Sequence, residues 1–128
     1  MGNGTPLGRV RGLGASHHGT GHWLQQRLTA LANVLLVTWF VVSLVLMPLG
    51  DYGAVVRWMS NPAVAFALML LVISVFWHLR LGLQVLIEDY VHGSARLLAL
   101  VALNFYAIGG AAYGLFSIAR IAFAGGAA

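Results

Sequence analysis

The stretch His78-Leu79-Arg80-Leu81-Gly82-Leu83-Gln84-Val85-Leu86-Ile87-Glu88-Asp89-Tyr90 closes a long apolar run and holds both acidic residues of the chain's second half. On an α-helix, His78, Gly82, Val85 and Asp89 fall at steps that put them on one face. A histidine with a glycine one turn on pairs a ligand with a gap where a flat group can lie against the backbone. Asp89 and Tyr90 end the segment with an acid beside a phenol. An ionisable side chain inside lipid is costly to bury, so its presence there points to function.

The surrounding sequence makes that lipid setting the expected one. Of 128 residues, 60% are apolar and 8% charged, a balance foreign to an ordinary water-soluble domain. Residues 28–50, 60–79 and 97–119 carry no acid, lysine or arginine. Each run is long enough for a hydrocarbon layer about 30 Å thick, which takes roughly 20 helical residues. The expected fold is therefore an all-α membrane protein with three transmembrane helices, at about 26–49, 62–88 and 95–123. Residues 22–128 form the anchor domain and residues 1–21 a polar N-terminal segment. No cleavable signal peptide is expected, because the first apolar run is long enough to stay as a span.

The net charge of +4 comes from seven arginines against three carboxylates, with no lysine. In a membrane chain such a balance speaks to topology rather than to nucleic acid. Arg9, Arg11, Arg27 and Arg96 fall on one side, and Arg57 and Arg120 on the other. This distribution predicts an N-terminus on the cytoplasmic or matrix side. With no cysteine, disulfides and thiolate metal sites are excluded. His17 and His18 are adjacent in the polar segment, but no carboxylate or cysteine nearby completes a metal site.

Each span has readable ends. Trp23 and Arg27 suit the headgroup layer at the entry to the first, and Pro48-Leu49-Gly50-Asp51 reads as its stop. Residues 51–60 read as an interfacial loop with Tyr52 and Arg57-Trp58. Ser60-Asn61-Pro62 reads as a capped start for the second span, and Ser94 as the cap of the third. Gly110 and Gly114 have the spacing that lets two helix backbones approach closely.

With Asp89 at the surface, His78 lies about 16 Å deeper, near the middle of the bilayer. Spacing leaves two roles open for it: a hydrogen bond to a neighbouring helix, or axial ligation of a haem. Tyr90 is either an interface anchor or, with Asp89 beside it and Arg27 at the same level, a donor to the carbonyl of a lipophilic quinone. Arg80 points roughly 200° away from His78 and is expected to pack against a partner subunit or to reach polar groups there.

His78 to Tyr90 with Val91-His92-Gly93, together with Arg27-Leu28-Thr29-Ala30 at the opening of the first span, resembles the hydrophobic membrane-anchor subunits of succinate dehydrogenase. The similarity rests on a histidine eleven residues before an Asp-Tyr pair, and it covers most of the chain. The histidine-to-tyrosine motif is fairly specific; the three-span layout alone is common.

The resemblance implies a heteromeric helix bundle with a companion anchor, a cytochrome b chain. His78 would be an axial ligand to the iron of haem b, the other coming from that companion. Arg27 would lie by the haem propionates, as would His22, whose spacing to Arg27 is one residue short of the family's. Tyr90 would hydrogen-bond ubiquinone, with Asp89 its adjoining acid. FAD would reside in a flavoprotein partner and the iron–sulfur clusters in an iron–sulfur partner. The implied setting is the bacterial inner membrane, with lipid and no nucleic acid as surroundings. The chain would not be catalytic alone but would serve the oxidation of succinate and the reduction of quinone. Competing expectations are the anchor of a fumarate reductase and a cofactor-free small transporter or scaffold.

Overall fold

The structure, a computed structural model, describes residues 6–10 and 19–125. His17, His18, Arg11 and most of the polar segment lie outside those residues. Five helices follow one another: α1 (Pro6–Val10), α2 (Gly19–Leu46), α3 (Tyr52–Ser60), α4 (Pro62–Tyr90) and α5 (Ser94–Ala124). Three of them, α2, α4 and α5, are long and apolar enough to cross a membrane. The expected all-α, three-span architecture is present.

Helix α2 begins at Gly19 and so extends beyond the expected span, its hydrogen-bond ladder running on through His22, Gln25 and Gln26. It stops at Leu46, short of the expected end, since Pro48 offers no amide hydrogen and disfavours helix at the residue before it. The supposed loop of residues 51–60 is mostly helix α3. Asp51 caps it by accepting from the Gly53 amide at 2.9 Å, and Trp58 gives it an anchor. Trp58 stacks on Trp39 of α2 with ring centroids 5.8 Å apart and lies 6.5 Å from Phe40.

Helix α4 starts as expected: Asn61 Oδ1 accepts from the Ala63 amide at 3.0 Å, and Pro62 stands in the first turn. The cap of α5 is not Ser94. Gly93 occupies that position without a side-chain hydrogen bond, and its φ of 69° is the left-handed turn that glycine adopts without strain. Ser94 is already the first helical residue.

Packing places α4 in the middle. Helix α2 covers one side of it and α5 another, and among the described residues the α2 and α5 backbones stay apart. The α5 side is built on a ridge one turn apart, Val72, Phe76 and Arg80. Gly114 lies against Val72, Gly110 against the Phe76 ring, and Asn104 against Arg80. At the other end α3 closes the molecule against α4 and α5, around Ala65, Leu68 and Ile118 with Trp39, Phe40, Trp58 and Met59 packed on them. No residue of α2 is buried, so one long apolar helix keeps most of its surface open.

Candidate functional site

The site is the contact between α2 and α4. On α2, His22, Gln26, Thr29 and Asn33 follow at steps of four, three and four, which aligns them on one face. On α4, Ser74, His78 and Gly82 are each one turn apart. Between them runs a polar seam inside an otherwise apolar pair of helices. Thr29 Oγ1 lies 3.1 Å from His78 Nδ1, and Ser74 Oγ donates to the Thr29 carbonyl at 3.4 Å. A Cβ placed on Gly82 would stand 3.7 Å from Gln26 Nε2, so the missing side chain leaves the α4 backbone bare beside the seam. Gln26 Oε1 and Asn33 Oδ1 are buried without a hydrogen-bond partner among the described residues. Each such atom forfeits its hydration, a cost of about 1–3 kcal/mol.

His78 is half-buried near the middle of α4. Its Nδ1 is engaged by Thr29, and its Nε2 makes no hydrogen bond among the described residues. A half-buried imidazole with one nitrogen held and the other free, next to bare backbone at Gly82, fits a haem ligand. Metal-bound histidines characteristically have their second nitrogen hydrogen-bonded in this way. A groove lined by Leu28, Thr29, Ala32, Leu70, Ser74 and Trp77 opens beside the seam.

The other expected site residues lie apart from His78. His22 is half-buried on the same α2 face as Thr29. Arg27 is exposed, with its guanidinium 5.3 Å from the centre of the Trp23 ring. Two positions from Thr29, it projects about 200° away from the seam. Asp89 and Tyr90 are exposed in the last turn of α4, and Tyr90 is 77% accessible. Along the helix axis Tyr90 is about 18 Å from His78. Neither Asp89 nor Tyr90 hydrogen-bonds Arg27; the nearby Glu88 instead accepts from Gln84 at 3.0 Å. Any ligand common to these groups must bridge them.

Arg80 is accounted for within the chain. Its Nε donates to Asn104 Oδ1 of α5 at 2.7 Å, and its guanidinium lies 5.7 Å from the Trp77 ring. Helix α5 covers the side of α4 opposite His78 and so supplies Arg80 with a polar acceptor inside the chain. Sequence reasoning also missed Gln26, Asn33 and Ser74. Their signal was present as polar residues at helical spacing within apolar runs.

Comparison with known proteins identifies the family. The sequence model of the succinate dehydrogenase/fumarate reductase transmembrane subunit family matches residues 1–111. A succinate dehydrogenase hydrophobic membrane anchor subunit of Rickettsia bellii is 31% identical over 83 residues, covering 65% of this chain and 66% of that one. Its counterpart in Paracoccus denitrificans is 26% identical over 118 residues, 91% of each chain. The chain thus spans about two thirds of the Rickettsia bellii relative and nearly all of the Paracoccus one. No solved structure matches significantly. With three membrane-spanning helices and a family match across most of its length, the chain belongs to the succinate dehydrogenase/fumarate reductase transmembrane subunit family.

Proposed function

We propose that this chain anchors a succinate:quinone oxidoreductase in the bacterial inner membrane, lends His78 to the iron of a haem b, and forms part of a ubiquinone pocket with Tyr90 and Asp89. The observation that carries the reading is the half-buried His78 imidazole, held at Nδ1 by Thr29 and free at Nε2. Haem b supplies a one-electron store within the membrane. This chain's part is to hold that group and to orient the quinone.

His78 would hold the haem iron through Nε2, with a further ligand supplied by a companion cytochrome b anchor. Open apolar faces on α2 and α5 suit the helices of such a companion. Arg27 and His22 stand at the entry end of α2, where a guanidinium and an imidazole can balance propionate charge. Tyr90, exposed at the end of α4, donates its phenolic hydrogen to a quinone carbonyl. That contact strengthens as reduction places negative charge on the oxygen. Asp89 is the neighbouring acid through which a proton can reach the reduced quinone. Flavoprotein and iron–sulfur partners, carrying FAD and the clusters, dock on the same side as Tyr90. The excess of arginines on that side, which holds the N-terminus, supports a cytoplasmic placement.

The family also includes fumarate reductase anchors, and the type of quinone bound by the purified complex separates the two activities. The test of the haem reading is a reduced-minus-oxidised spectrum of the complex. A b-type band should be present in the wild type and lost in His78→Ala, with the complex still assembled. A wild-type complex without that band, or a His78→Ala complex with its full haem, would sink the proposal and favour a cofactor-free scaffold.

A further inference from the structure

The structure assigns to Thr29 a positioning role: its hydroxyl fixes which nitrogen of His78 carries hydrogen and so presents Nε2 as the bare ligand. The inference rests on the haem reading above and adds a residue to it.

The argument follows from counting hydrogens. Thr29 Oγ1 lies 2.8 Å from the Gln25 carbonyl oxygen and 3.1 Å from that of Gln26. Neither carbonyl has a hydrogen to give, so the single hydroxyl hydrogen must point at them. A hydroxyl turned toward His78 would leave two oxygens facing one another at 2.8 Å with nothing between. With its hydrogen spent there, Thr29 can only accept from His78 Nδ1, 3.1 Å away. Nδ1 is then the protonated nitrogen. In a neutral imidazole the other nitrogen carries the lone pair.

The arrangement is braced from both helices. The hydroxyl is oriented by the preceding turn of α2, and the Thr29 carbonyl receives Ser74 Oγ from α4. Ser74 stands one turn before His78 on the same face. A shift of α2 along α4 would therefore disturb both contacts together. An acceptor at Nδ1 raises the electron density at Nε2, which strengthens its bond to iron and favours the ferric state.

The test uses the intact assembled complex carrying Thr29→Val, which keeps the shape and removes the hydroxyl, beside Thr29→Ser, which keeps the hydroxyl. Haem retention is read as the rate of transfer to excess apomyoglobin, and electronic structure as the haem midpoint potential and the low-spin ferric signal in electron paramagnetic resonance. Thr29→Val should release haem about tenfold faster or more, with a raised potential and a shifted ferric signal. Thr29→Ser should stay near the wild type in all three. If Thr29→Val does not assemble, Thr29→Ala makes the same comparison with less bulk at the contact. A hydroxyl-free variant that matches the wild type in release, potential and ferric signal would overturn the role of Thr29 while leaving His78-dependent haem intact. A wild-type complex with no haem would overturn both readings.

Discussion

Arg80 Nε donates to Asn104 Oδ1 at 2.7 Å, joining α4 to α5 at a level where each helix is embedded in apolar sequence. Asn104 Nδ2 in turn donates to the Leu100 carbonyl at 2.7 Å, which fixes the amide so that its oxygen faces the cation. The guanidinium cannot lose its charge, so its acceptor matters more than that of a neutral donor.

Asn104→Leu should therefore destabilise the protein by about 2 kcal/mol, as expected when a hydrogen bond to a charged group is removed and that group stays in place. The double variant Arg80→Leu, Asn104→Leu should recover most of the loss, because no stranded charge is left. Unfolding in mixed micelles measures both. Equal destabilisation by the single and double variants would show that the pair contributes packing only.

Two adjacent glycines of α5 give a sharper contrast. A Cβ on Gly110 would collide with the edge of the Phe76 ring, whereas one on Gly109 would meet nothing within 4 Å. Gly110→Ala should cost about 1–3 kcal/mol through overpacking. Gly109→Ala should be neutral or slightly stabilising, since alanine is the better helix former. Phe76→Leu should relieve part of the Gly110→Ala defect. Midpoints of thermal unfolding in detergent, compared across the four variants, test this.

That contrast shows what was legible in the sequence. The three uncharged runs dictate three spans, and the Gly110–Gly114 spacing marks a close approach, but neither says which helix approaches. The structure answers with α4, whose side chains at 72, 76 and 80 meet α5, while its side chains at 74 and 78 and the bare backbone of Gly82 face α2. Arg80 was unreadable for this reason: a lone cation within a span says only that an acceptor exists. Thr29 was visible only as part of a motif, because the significance of a hydroxyl depends on what lies across from it. Helix α3 was hidden by length, since nine residues at an interface resemble a loop until Trp58 finds Trp39.

Asp51 offers a test of how α3 is held. It accepts from the Gly53 amide at 2.9 Å and lies 3.6 Å from Arg57, both side chains being largely exposed. An exposed ion pair contributes little, whereas loss of a cap costs about 1 kcal/mol. Asp51→Asn keeps a capping oxygen without the charge and should leave amide exchange in residues 53–56 near the wild type. Asp51→Ala should speed exchange there about fivefold, the equivalent of that 1 kcal/mol. If Asn and Ala variants exchange alike, the ion pair rather than the cap secures the helix.

Tyr90 tests the quinone reading separately from the haem. Its ring is exposed at the end of α4, and it forms no hydrogen bond among the described residues, so its hydroxyl is available to a ligand. A phenol that donates to a carbonyl gaining negative charge should contribute a factor of about ten or more to reduction of that carbonyl. Tyr90→Phe keeps the ring and removes only the donor. In the purified complex it should lower quinone reduction about tenfold or more while leaving succinate oxidation by an artificial acceptor unchanged. The b-type band and the rate of haem release should also stay as in the wild type, because His78 is about 18 Å away along the helix. Quinone reduction at the wild-type rate in Tyr90→Phe would return that residue to the role of an interface anchor.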